Sequence, residues 1–146
     1  MTDRPRVARL RPPGLTFAER RYLDDLDQWK LALELERRPN QAPNRTRPIH
    51  GLGNAYHWWD GAVRTVEGHG GWMKEEVLNS LMHRDGLEEL MTSVPKPVAT
   101  RLREWIGPLD DRYRAATVDG GGAGWRPKAD DGWWWRRWPR DLPASW

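Results

Sequence analysis

The residues best suited to chemistry lie between Pro48 and Trp72, where three of the four histidines occur. Imidazole is a common ligand of transition metals and a common general base near neutral pH. The candidate ligands are His50, His57, Asp60, Glu67, His69 and His83. However, the chain has neither an H-E-x-x-H motif nor a paired E-x-x-H motif, which would place two ligands on one helix face. We therefore predict no metal site and no cofactor, and a histidine-metal helical-bundle enzyme is only an alternative.

Other catalytic patterns are also missing from the sequence. Without cysteine the chain has no disulfides, no thiolate zinc site and no cysteine nucleophile. None of the three serines lies in a G-x-S-x-G motif, and the glycine-rich stretches lack the strand and the Lys-Ser/Thr pair of a phosphate-binding loop. We therefore predict no catalytic residues, and a protein that is not an enzyme.

A polar row follows one face of the helix predicted after Gly53. Its members, at steps of three, four and three residues, are His57, Asp60, Arg64 and Glu67. Such a row is typical of a solvated helix face with ion pairs such as Asp60–Arg64. The alternative is a secondary binding surface centred on His57 and Asp60, and the sequence does not decide between the two.

The C-terminal stretch is the most unusual part of the chain, because six of the eleven tryptophans lie between Trp125 and Trp146. These indoles could seal a groove on the protein's own body, since their burial is strongly favoured. They could also anchor another subunit or a partner protein, where tryptophan and arginine are favoured. Stacking on single-stranded nucleic acid or insertion at a membrane interface is disfavoured by the aspartates among them.

Three tryptophans in a row cannot all face one surface of an extended chain or of an α-helix. Their complete burial would need a second surface, most simply a second subunit or a partner protein. The predicted partner-binding residues are Trp133, Trp134, Trp135, Arg136, Arg137 and Trp138. On this interpretation the removal of residues 125–146 would abolish partner binding and leave the helical body folded.

Several amphipathic helices must position these residues. Thr16 and Glu19 form a capping box for the first helix, which Pro39 ends. The apolar stripe of this helix is Ala18, Tyr22, Leu26, Trp29 and Leu33. The second helix is predicted from Asn54 to Glu67, and its apolar stripe is Ala55, Trp59, Ala62, Val63 and Val66.

Further helices follow the second one. We predict a third helix from Trp72 to Met82 and a short helix that begins with a capping box at Asp85. The last helix should begin near Pro97 and be interrupted at Gly107-Pro108. The tryptophans on apolar stripes, expected in the core, are Trp29, Trp59 and Trp105.

These patterns predict an all-α fold, a bundle of four to five helices with an extended Trp/Arg-rich C-terminal arm. Residues 1–15 should form a flexible basic arm, residues 16–118 the helical bundle domain, and residues 119–146 a Gly-rich joint and the C-terminal arm. Residues 39–48 should connect the first two helices as an extended crossover. The chain shows neither a secretion signal nor a membrane span, so we expect a soluble, cytoplasmic protein.

The leading functional prediction is a small interaction protein, a regulatory, inhibitory or assembly component that acts through protein–protein contacts. Its partner would be another protein or a second copy, with the Trp-rich arm as anchor. The two ends of the chain are basic around an acidic middle. The alternative prediction is therefore a nucleic-acid-binding protein that uses its basic termini and aromatic stacking.

Overall fold

The computed structural model describes residues 4–38, 48, 50–120, 124–125, 127–128 and 130–146. In this part of the chain the α-helices are α1 (Arg4–Ala8), α2 (Phe17–Arg37), α3 (Leu52–Val66), α4 (Lys74–Ser93) and α5 (Lys96–Ala116). A 3-10 turn (Trp133–Arg136) and two short strands, β1 (Thr117–Asp119) and β2 (Arg137–Pro139), complete it. The predicted all-α bundle is confirmed. The crossover over residues 39–47 and the centre of the glycine joint, residues 121–123, lie outside the described residues.

The core forms around α3, which packs against both α4 and α5. The predicted stripe of α3 is confirmed, because each of its five residues is buried. Trp59 is fully buried, and its indole N–H donates to Oδ1 of Asp110 at 3.0 Å. Gly61 allows the indole of Trp72 to lie directly on α3, because a Cβ at this position would clash with the ring.

Helix α2 begins with the predicted capping box, in which Thr16 and Glu19 satisfy each other's backbone N–H groups. The predicted inward stripe is wrong, however, because the buried residues are Leu23, Asp27 and Leu31. Asp27 is buried because it accepts hydrogen bonds from the backbone N–H of Leu52 and from the guanidinium of Arg11. Because the face with Asp27 points inward, Trp29 points outward and is 59% exposed instead of lying in the core.

The N-terminal segment, which the sequence predicts as a flexible basic arm, forms a short helix and contacts the body from Val7 onward. Helix α1 packs against α3, where Gly53 lets the backbone of Val7 and Ala8 approach closely. Arg11 is nearly buried and forms ion pairs with Asp24 at 2.9 Å and Asp27 at 2.7 Å. These contacts fix residues 6–11 on the body, because a buried guanidinium needs its carboxylate partners.

Two predicted interruptions of the helices are absent. Asp85 does not cap a short helix but lies within the continuous helix α4, and its carboxylate binds the C-terminal arm instead. Helix α5 likewise continues through Gly107 and Pro108. Packing explains both results, because Leu81 and Leu87 are buried on either side of Asp85, and Ile106 and Leu109 on either side of Gly107-Pro108.

The two strands bring the C-terminal arm back to the end of α5. They pair in antiparallel register, with Thr117 opposite Pro139, Val118 opposite Trp138 and Asp119 opposite Arg137. Each strand has only three residues, too few for an alternating pattern in the sequence to predict this pairing. None of the helices in the described ranges is long and apolar enough to cross a membrane.

Candidate interaction surfaces

The three consecutive tryptophans of the arm form a 3-10 turn that lies on the helical body. Trp134 is buried, and Trp133 and Trp135 are half-buried. The indole N–H groups of Trp134 and Trp135 both donate to Oδ1 of Asp85, at 2.8 and 2.7 Å. One carboxylate of α4 therefore accepts hydrogen bonds from two adjacent indoles. In an extended strand or an α-helix the side chains of two consecutive residues would point in different directions, so this arrangement was not predicted from the sequence.

Cationic side chains of the body cover the same turn. The guanidinium carbon of Arg84 lies 4.2 Å from the ring centroid of Trp134, and that of Arg114 lies 3.8 Å from the centroid of Trp133. The hydroxyl of Tyr113 donates to the carbonyl of Trp134 at 3.2 Å. Burial raises the pKa of Tyr113 far above its ordinary value, so this hydroxyl remains a donor.

The arginines of the arm also bind its own chain. Arg137 donates from Nε to Oγ1 of Thr117 and from Nη2 to the carbonyl of the same residue, both at 2.8 Å. It also donates to the carbonyl of Arg114 at 3.1 Å. Arg136 donates to the carbonyl of Lys128 at 2.7 Å. These bonds hold β2 beside the end of α5.

Trp138 belongs to a second aromatic cluster with Trp125 and Trp146, in which ring centroids lie 5.0 to 5.5 Å apart. The ammonium of Lys74 lies 5.2 Å from the centroid of Trp138. The indole N–H of Trp146 donates to the carbonyl of Trp72 at 3.1 Å. Five of the six residues predicted to bind a partner therefore contact the protein's own body, and the sixth, Arg136, binds Lys128 within the arm.

The polar row on α3 is a paired, partly exposed surface. Asp60 and Arg64 form the predicted ion pair at 3.0 Å. Glu67 accepts two hydrogen bonds from Arg112 of α5, at 2.6 and 3.0 Å. The guanidinium of Arg112 lowers the pKa of Glu67, and the carboxylate raises the pKa of Arg112. His57 does not join these pairs but lies edge-on to Trp72, with 6.1 Å between ring centroids.

A cluster of histidines and tryptophans was missed by the sequence analysis, because its members come from separate elements. Trp58 stacks on His83 at 5.5 Å between centroids and contacts Trp72 at 5.1 Å. The ring of His50 lies 5.6 Å from that of His83. Burial, and secondarily the charge of His50, lowers the pKa of His83 to about 4. Within the described ranges, no group of three or more His, Asp or Glu side chains is placed to hold a metal ion.

The second surface that the sequence analysis missed is the outer face of α2. Trp29 and Tyr22, which are 59% and 41% exposed, lie seven residues apart and so on the same side of the helix. Leu26 and Leu33, on the border between this side and the body, are half-buried. The helical period identified these residues as one apolar stripe, but it could not show that Leu23 and Leu31 form a second stripe that takes the inward position.

Comparison of the chain with protein-family models, with curated proteins and with solved structures found no match. The fold itself defines the class: an all-α helical bundle with a small two-stranded sheet and a Trp-rich C-terminal arm.

Proposed function

We propose that this protein is a non-enzymatic interaction protein that acts through protein–protein contacts, with the outer face of α2 as its anchor. The observation that carries the proposal is the exposure of Trp29 and Tyr22 on a helix that already packs on the body through Leu23 and Leu31. Burial of a large apolar side chain contributes about 1.5–3 kcal/mol, and aromatic residues are the favoured anchors of interfaces. A partner that covers this face would therefore gain substantial binding energy.

The contacts of the arm favour α2 over the arm as anchor. Trp134 is only 4% exposed, and the indole N–H groups of Trp134 and Trp135 already have an acceptor in Asp85. A partner that took these groups would have to replace bonds that the folded chain makes itself. The half-exposed edges of Trp133 and Trp138 can extend an interface, but the arm acts mainly as a brace between α4 and α5.

The use of the polar groups supports a non-enzymatic role. Arg84 and Asp110 bind each other in the core, and Asp85 binds the arm. Glu67 and Arg112 bind each other across α3 and α5. Each of these charged groups binds a partner in the same chain. The bond joins either two helices or a helix and the arm, so it explains the position of the group without a catalytic role.

The arginines give less support to the nucleic-acid alternative than their number suggests. Arg11, Arg84 and Arg112 form ion pairs with carboxylates of their own chain, and Arg137 binds backbone carbonyls. A guanidinium held in this way offers less charge to a phosphate backbone. Nucleic-acid binding is therefore the second candidate function, and the experiment below distinguishes it from protein binding.

The test compares Trp29→Glu with Met82→Glu, a matched change at a side chain that is 60% exposed on α4. Tagged full-length protein would be used to capture both host proteins and a differently tagged second copy, with circular dichroism to verify folding. We expect Trp29→Glu to lose the captured protein and Met82→Glu to retain it. Undiminished capture by Trp29→Glu would exclude α2 as the anchor. Salt-sensitive binding of DNA or RNA by the wild-type protein and by both variants would support the alternative function, nucleic-acid binding.

A further inference from the structure

We infer that the occupant of the outer face of α2 is a second copy of this chain, bound through an antiparallel pairing of the two α2 helices. The inference rests on the proposed function and names its partner. Three observations support it: the direction of the apolar stripe, the spacing of its residues, and the charges at its edge.

The outer stripe and the inner stripe of α2 point in different directions. At about 100° per residue, Ala18, Tyr22, Leu26, Trp29 and Leu33 fall within one sector of roughly 80°. The buried residues Leu23, Asp27 and Leu31 lie in a separate sector centred about 140° away. The outer stripe can therefore meet another helix while the inner stripe stays packed on the body.

Four of the five residues of the outer stripe lie symmetrically about one point of α2, and the fifth, Leu26, lies next to that point and packs partly against the body. Tyr22 and Trp29 are equally far from the midpoint between Asp25 and Leu26, and so are Ala18 and Leu33. A two-fold axis at this midpoint places Tyr22 against Trp29 of the second copy, a favourable aromatic pair, at two symmetric positions. It also places the small Ala18 against Leu33, so that both contacts are filled. A parallel pairing would place Ala18 level with Ala18 and leave a gap there.

The charges at one edge of the stripe agree with the antiparallel direction. Glu19 and Lys30 lie on the same edge, on opposite sides of the midpoint. In an antiparallel pair with two-fold symmetry, equivalent edges of the two helices face each other. Glu19, which uses Oε1 for its capping bond to Thr16, then lies within about one turn of Lys30 of the second copy. The ammonium of Lys30 donates to the carbonyl of His50 through a long bond of 3.4 Å, which a carboxylate of the second copy can replace, so the opposite charges attract at two places.

Asp25 provides a signature of the two-fold axis. It is exposed and lies within one residue of the midpoint, on the other edge of the stripe. In the proposed dimer it therefore comes close to Asp25 of the second copy, and like charges at this distance repel each other. Asp25→Asn removes this repulsion. We therefore expect it to lower the dimer dissociation constant, although the substituted side chain is exposed to solvent in the monomer.

Because the chain contains no cysteine, a single introduced cysteine is the only thiol available for cross-linking. Leu26→Cys lies next to the axis, so mild oxidation should join two copies of this variant. Ala18→Cys should not join to itself, because in an antiparallel pair its two copies lie about 22 Å apart along the helix. The same holds for Leu33→Cys, but a mixture of these two variants should form the mixed disulfide dimer.

Sedimentation equilibrium of the full-length protein measures the dissociation constant of the dimer. We expect a dimer whose dissociation constant rises at least about tenfold with Trp29→Glu and is unchanged with Met82→Glu.

Formation of disulfide-linked dimers by Ala18→Cys alone and by Leu33→Cys alone would indicate a parallel pair and overturn the inference. A wild-type protein that stays monomeric at its highest soluble concentration would also overturn it. If that monomer captures another protein through Trp29, the proposed function survives; if it captures none, both fail.

Discussion

Arg84 of α4 and Asp110 of α5 form a two-point ion pair in the interior of the protein. Nε and Nη2 of Arg84 donate to the two carboxylate oxygens of Asp110 at 3.0 and 2.8 Å. The indole of Trp59 donates to the same carboxylate, so one acidic group joins α3, α4 and α5. Arg84 is also the cation above Trp134, which extends the network to the C-terminal arm.

The first prediction concerns this ion pair. Asp110→Ala should lower the free energy of unfolding by about 3–5 kcal/mol, because the indole N–H of Trp59 loses its acceptor and the buried guanidinium of Arg84 loses both bonds to Asp110, keeping the bond to Glu88 at 3.1 Å. The double variant with Arg84→Met should lose less than the sum of the two single variants, since neither charge of the Arg84–Asp110 pair then remains without the other. Urea unfolding of the four proteins measures both effects. A loss below about 1 kcal/mol for Asp110→Ala would contradict the buried network.

The second prediction separates two tryptophans that the sequence pattern treats alike. Trp59→Ala should cost about 3–5 kcal/mol of unfolding free energy, because the side chain is fully buried between helices. Trp29→Ala should change the stability of the monomer by only about 0.5 kcal/mol or less, because most of its surface is exposed. Denaturant unfolding at a concentration that keeps the protein monomeric provides the measurement. Equal losses would show that α2 is rotated differently.

The third prediction tests the acceptor that two indoles share. Asp85→Ala should destabilise the protein by about 1–3 kcal/mol for each N–H that is left buried without an acceptor. Asp85→Asn is the matched control, because its amide oxygen can still accept, and it should cost less. Tryptophan fluorescence during unfolding would report both. If alanine and asparagine have the same small effect, the arm does not depend on Asp85.

The fourth prediction concerns removal of the arm. Because Trp134 is buried and Tyr113 donates to its carbonyl, truncation after residue 124 should expose the apolar surface of α4 and α5. We expect a lower melting temperature and weaker cooperativity than in the full chain. Calorimetry of the truncated protein is the measurement. A truncated body as stable as the full chain would support the sequence-based prediction that the arm is free to serve a partner.

The fifth prediction is a pH dependence that comes from His83. Its pKa in the folded protein is about 4, below the ordinary value of 6.5, so the unfolded chain binds the proton first as the pH falls. The stabilising contribution is therefore complete above about pH 6.5 and is lost as the pH falls toward 4. His83→Phe should flatten the melting temperature over this range, whereas the exposed control His69→Gln should not. An unchanged slope in His83→Phe would refute the assignment.

The sequence alone predicted the helices of the bundle that become α2, α3, α4 and α5, although it divided α4 in two and did not predict α1. Local signals are sufficient where they are strong: the capping box at Thr16 was correct, and the stripe of α3 was buried as predicted. Local signals were misleading where long-range packing competes with them. Asp85 has the spacing of a helix cap, and Gly107-Pro108 that of an interruption, but α4 and α5 continue through them because buried residues on both sides hold each helix together.

Only the tertiary structure decided which apolar face points inward and where the arm lies. The period of α2 cannot choose between two stripes, since the choice depends on Arg11 and Leu52, which bind Asp27 from elsewhere in the chain. The position of the tryptophan turn depends likewise on Asp85, 49 residues away from Trp134. Hydrogen bonds and ion pairs between distant residues set these orientations, and a pattern read along the chain contains no information about which distant residues will meet.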